Sequence, residues 1–147
     1  MRVITVRQPW AWAIIHGGKD VENRTRNIAG SYRGPVAIHA ASREASPYND
    51  VAAEVCRLAG QWVLKAELGA IIGVVDLVDV HHDQDCWLKP WKHEVESRCS
   101  DWAQHDHHHI VFENPRAIDP IPAKGKLGLW RPDAELLAQI EAAEAGT

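Results

Sequence analysis

The run Arg7-Gln8-Pro9-Trp10-Ala11-Trp12-Ala13-Ile14-Ile15-His16-Gly17-Gly18-Lys19-Asp20-Val21-Glu22-Asn23-Arg24 restricts the start of this chain more than any other stretch. An apolar segment, Val3 to Val6, precedes it and reads as a strand. Pro9 suits a helix start, where its missing N–H would be unpaired anyway. Trp10, Ala13 and Ile14 recur at helical spacing and predict one buried face. Gly17-Gly18 ends the helix, because glycine reaches the left-handed conformation that helix C-termini often need. Lys19, Glu22 and Arg24 then follow within six residues as the chain turns into an extended segment. On a strand, Glu22 and Arg24 share one face, with Val21 and Asn23 on the other. A carboxylate beside two cations stays ionised and holds an arginine fork in place. Lys19 is then expected either to meet an anion or, with burial, to act as a base.

The pattern Gly17-x-Lys19-x-x-Glu22-x-Arg24 resembles the signature of the ASCH family, small domains of the PUA-like superfold that look like RNA-binding modules. Two further blocks extend the resemblance. Tyr32-Arg33-Gly34-Pro35 turns into Val36-Ala37-Ile38-His39-Ala40, and a proline-rich crossing leads to Lys124-Gly125-Lys126-Leu127-Gly128-Leu129-Trp130. The blocks span residues 3–26, 32–42 and 109–131. The resemblance implies an α+β chain, mainly β: a small PUA-like β-barrel with helices packed on its ends. Residue patterns alone predict four or five short strands, three helices and many turn glycines, which suits a closed sheet.

The intervening segments fill in that frame. Residues 43–69 show a helical period through Val51, Val55, Leu58, Trp62 and Leu64 or Lys65, with Ser46-Pro47 as a start and Cys56 as a small core residue. Ala70 to Val80 is near-continuously apolar and predicts a central strand, with Gly73 marking a bulge or close backbone approach. His109 to Phe112 resumes strand character, and Glu113-Asn114-Pro115-Arg116 reads as a turn. Asp133 to Ala145 predicts a helix capped near Pro132-Asp133, with Leu136, Leu137 and Ile140 on its apolar face.

Residues 81–108 mix histidines, cysteines, aspartates and tryptophans, which raises the question of a metal. There is no Cys-x-x-Cys, Cys86 and Cys99 are thirteen apart, and no glutamate follows His105 as in the helical zinc motif. The expectation is therefore no metal site, and a tryptophan-anchored loop over the barrel instead.

Length and charge narrow the function. A chain of 147 residues suits one domain spanning 1–147 with a self-sufficient core. The net charge of -4 argues against bulk electrostatic binding to long nucleic acid, so any such role needs a local basic patch or a nucleotide-sized pocket. Three widely spaced cysteines do not make a disulfide framework, no apolar run approaches a membrane span, and a cytoplasmic protein is expected. Oligomeric state is left open.

The resemblance implies a cleft that captures RNA, a nucleotide or a modified base. Arg7, Lys19, Arg24, Tyr32, Arg33, Lys124 and Lys126 are the expected backbone contacts, and Trp10 or Trp12 the stacking surface. Lys124 and Lys126 are expected on one face of a closing strand. Some family members resemble ribonucleases, for which Lys19 and Arg24 would stabilise developing charge while Glu22 or His39 moves a proton, with Ser42 and Tyr32 as supporting hydroxyls. Other members resemble amidohydrolases of acetylated cytidine, in which a lysine activates a threonine three residues later. Here that position is Glu22, which removes the expected nucleophile. No cofactor is expected, apart from a divalent ion such as manganese or magnesium on Glu22 under the nuclease alternative, for which the sequence offers no dedicated cage. The third alternative is a non-catalytic interaction domain.

Overall fold

A computed structural model describes residues 1–63, 66–88 and 98–147, with the side chains of Trp87 and Leu88 left aside. Its elements are β1 (Arg2–Val6), α1 (Trp10–His16), β2 (Val21–Arg24), β3 (Gly34–Ala40), α2 (Tyr48–Ala59), β4 (Ala70–His82), a 3-10 turn (Asp83–Leu88), β5 (His108–Pro122), β6 (Leu129–Trp130) and α3 (Ala134–Ala145). The strands form one curled sheet, a half-barrel, in the order β2-β5-β4-β3-β1-β6. Among the described residues, only the β1–β3 pair is parallel. The α+β, mainly β expectation therefore holds.

Alternation along the strands divides the core in two. Ile4, Val6, Val36, Ile38, Val75, Leu77, Ile110 and Phe112 point inward and bury Ile14 and Ile15 of α1. Val3, Ala37, Ile71, Val74 and Ile118 point outward and are covered by Trp130 of β6 and Ile140 of α3. A third cluster joins Trp12 and Ala13 of α1 to Val55 of α2, with Trp102 against it.

The start of α1 is held by Gln8, whose buried side chain accepts from Trp12 N at 2.8 Å and donates to the Glu67 carbonyl at 2.9 Å. At the other end, Gly18 takes the left-handed conformation at φ 74°. Gly17 serves a different purpose: a Cβ there would lie 3.0 Å from both Ala13 Cα and Trp12 Cζ3.

Three sequence expectations change. The helix expected across 43–69 spans only Tyr48–Ala59, because Gly60 adopts φ 68° and its N–H closes on Cys56 O. Leu64 and Lys65 of that expectation lie outside the described residues. The expected turn at 113–116 is instead a kink within continuous β5, where Asn114 has φ 50° and the register with β4 shifts. Lys124 and Lys126 lie in an irregular segment, since β6 contains only Leu129 and Trp130. The loop expected over the barrel falls partly on residues 89–97, outside those described.

Gly73 behaves as its position suggested. Register shifts flank it on the β4–β5 side, and a matching irregularity separates Ile38 from His39 on the β3 side. A Cβ at Gly73 would lie 2.5 Å from Ile15 Cδ1 and 2.6 Å from the Arg116 carbonyl. The absent side chain lets α1 seat against the bend of the sheet.

Candidate nucleic-acid cleft

Strand β2 carries Glu22 and Arg24 on its inner face, as shown by the pairing of Glu22 with the buried Ile110. Asn23 pairs with His109 and faces outward. Strand β2 is one margin of the curled sheet, and β1 lies close to the other. Arg24 spans the opening between them: its Nη2 donates to the Thr5 carbonyl of β1 at 2.9 Å. A cleft of about 430 Å³ occupies this opening, lined by Thr5, Arg7, Trp10, Glu22, Arg24 and Lys126 among others.

The charges are arranged in layers. Lys19 is 4% exposed; its Nζ donates to the Val21 carbonyl and lies 3.3 Å from Glu22 Oε2. Arg24 Nε stands 3.5 Å from Glu22 Oε1, close enough for ion pairing but without hydrogen-bond geometry. Glu22 thus compensates a buried ammonium on one side and steadies a guanidinium on the other. The expectation that Lys19 and Glu22 meet is fulfilled. Lys19, however, is committed to internal partners and does not line the cleft.

The other proposed residues separate clearly. Arg7 and Lys126 are exposed and reach the cleft from β1's end and from the irregular segment before β6. Lys126 Nζ lies 5.3 Å from the Trp130 ring centroid, a cation–π contact that helps place it. Of the two helix tryptophans, Trp12 is buried and Trp10 is half-buried with part of its surface in the cleft.

His39 pairs in register with Thr5, and its ring packs against Trp130 on the outer face of the sheet. Its Nε2 bonds the Ala123 carbonyl at 2.8 Å, so it is remote from the Glu22 face. Ser42 and Lys124 are exposed and are not among the lining residues. Tyr32 donates its hydroxyl to the Pro35 carbonyl at 2.8 Å, and burial raises its pKa against the lowering effect of Arg2. Arg33 donates to the carbonyls of Gly30 and Tyr32, as a turn arginine does.

Sequence reasoning overlooked Gln8, Thr5 and the cleft-rim Leu127, which is 98% exposed. It weighed a metal in residues 81–108 and expected none, and did not foresee that His81, Cys86, Cys99 and His109 converge on the outer side of the sheet. No short motif links those four positions: the antiparallel register of β4 and β5 sets His81 beside His109, and the 3-10 turn and the stretch before residue 100 bring Cys86 and Cys99 to them.

Comparison with known proteins agrees with this architecture. The ASCH domain family model matches residues 4–122, and the chain belongs to that family. Among solved structures, the fold is similar to that of the ASCH protein from Zymomonas mobilis. The TM-score is 0.56 at 15% identity, covering 95% of this chain and 93% of that one. A tyrosine-to-phenylalanine variant of the same protein gives a TM-score of 0.55 at 16% identity, over 95% and 96% of the two chains. No curated protein matches the chain. Among the described residues, no helix is long and apolar enough to cross a membrane.

Proposed function

We propose that the cleft between β1 and β2 binds single-stranded RNA or a nucleotide, with phosphate against Arg7, Arg24 and Lys126 and a base stacked on Trp10. The observation that carries this reading is the meeting of three cations from separate segments beside one accessible tryptophan, in a chain whose net charge is -4. Bulk charge would repel a polyanion, so the attraction is local.

Catalysis has less support. His39 and Ser42 do not line the cleft, and Lys19 is engaged internally, which leaves Glu22 and Arg24 for scission chemistry. Glu22 is also poorly suited to hold a divalent ion, because cations already face both of its oxygens. No step through a metal is therefore proposed for this cleft.

Anisotropy of a short labelled RNA, measured between 50 and 200 mM salt, tests the reading. Three phosphate contacts predict a slope of log affinity on log salt of about -2 for single strands, and Lys126→Ala should reduce its magnitude by about 0.7. Trp10→Ala should cost about 1–3 kcal/mol of binding free energy. An unchanged slope in Lys126→Ala would remove this lysine from the contacts, whereas shortened RNA would redirect the reading to a nuclease.

A further inference from the structure

We propose that His81, Cys86, Cys99 and His109 form a structural zinc site on the outer side of the sheet, separate from the cleft. The donor atoms converge from four segments: the end of β4, the 3-10 turn, the stretch before residue 100, and the start of β5. All four lie within 4.8 Å of one another. His81 Nε2 and His109 Nδ1 are 3.3 Å apart. Cys86 Sγ is 3.2 Å from His81 Nε2 and 3.3 Å from His109 Nδ1, and Cys99 Sγ is 3.4 Å from His109 Nδ1. A tetrahedral zinc with ordinary bond lengths separates two nitrogens by about 3.4 Å and a nitrogen from a sulfur by about 3.5 Å. Four of the six donor pairs already have nearly that spacing, and the other two lie within 4.8 Å.

The outer contacts of the two rings point the same way. His81 Nδ1 lies 2.9 Å from an Asp79 carboxylate oxygen, and His109 Nε2 lies 2.7 Å from the Gln104 carbonyl. These acceptors draw the ring protons outward, so both remaining nitrogens present lone pairs to the common point. Two lone pairs 3.3 Å apart, with two sulfurs beside them, suit a shared cation. Binding releases one proton from each cysteine thiol, and the two resulting thiolates balance the charge of a divalent ion. Four protein ligands leave no open position, which defines a structural centre rather than a catalytic one.

The site also has a mechanical connection to β2. Asn23 donates from Nδ2 to the Trp102 carbonyl and accepts from Gln104 N, both at 2.9 Å. Ser100 bonds Asp20. The segment that supplies Cys99 and supports His109 is therefore fastened to the back of the strand whose front carries Glu22 and Arg24.

Protein purified without a histidine tag, under reducing conditions, tests the site by elemental analysis and cobalt titration. The expected result is one zinc per chain, or one cobalt with thiolate charge-transfer bands and the intense visible bands of tetrahedral coordination. Cys99→Ser should weaken or abolish those thiolate bands. Asp79→Asn keeps the shape of the second contact and should lower zinc affinity about 10- to 100-fold. A chelator should lower the Tm of the wild type by more than that of Cys99→Ser. Three results would overturn the proposal: folded, reduced wild type that binds neither ion, a Cys86–Cys99 disulfide in the freshly isolated protein, or a folded Cys99→Ser with the wild-type cobalt spectrum.

Discussion

Removing the carboxylate at Glu22 leaves the Lys19 ammonium buried with the Val21 carbonyl as its remaining described partner, and Arg24 loses the oxygen nearest its Nε. A broken buried ion pair costs about 3–5 kcal/mol, because the surviving charge stays out of water. Glu22→Gln is therefore expected to lower the unfolding free energy by that amount, read as a fall in the urea midpoint at constant m value. Adding Lys19→Met should recover part of the loss, since no ammonium then remains buried. Arg33→Ala, which removes only bonds to neighbouring carbonyls in its own turn, should change RNA affinity little. Binding by Arg33→Ala weakened as much as by Lys126→Ala would relocate the contact surface to the β2–β3 turn.

Among elements, β5 and α3 illustrate how side chains fix a bent strand. Arg116 sits beyond the Asn114 kink and bonds Asp76 of β4 at 3.1 Å and Glu144 of α3 at 2.9 Å. The Asn114 amide lowers the pKa of Asp76 most, with Arg116 adding to it against the opposing effect of burial. Because the folded value is depressed, the stabilisation is complete above the unfolded carboxyl range, about 3.9, and disappears as pH falls through the lower folded value. Asp76→Asn should accordingly flatten acid denaturation below about pH 4, read as the Tm at successive pH values; an unchanged acid limb would contradict this. Solvent screening keeps the effect small, since both partners are about a third exposed.

Legibility in the sequence followed locality. The α1 stop, the β2 face assignment and the Asp133 cap, which accepts from Leu136 N, all depend on neighbours within four residues. The kink at Asn114 was mistaken for a turn because Pro115 interrupts the apolar alternation, whereas in the fold β4 supplies a partner across the irregularity. His39 alternates with Ile38 along β3 and so lies outward, whereas the inward position of Glu22 is fixed by the pairing of β2 with β5. The convergence of the four outer donors is equally non-local: register sets His81 beside His109, and two separate segments bring Cys86 and Cys99 to them.

For the whole molecule, the cleft has an unusual dependence on remote packing. Its two walls are β2, at one margin of the sheet, and β1, next to the other, so its width is the gap left when the sheet curls. Gly73 sits in β4, halfway round that arc, at the place where backbone irregularity on both sides permits the bend. A methyl group there must push on Ile15 and the Arg116 carbonyl, at a cost of about 1–3 kcal/mol. Gly73→Ala should also weaken RNA binding without touching the ligand, and an intact affinity in the destabilised variant would show that the opening is set locally. The sheet resembles a split ring: flattening it opposite the gap widens the gap, and the guanidinium of Arg24 is the clasp that registers the strain.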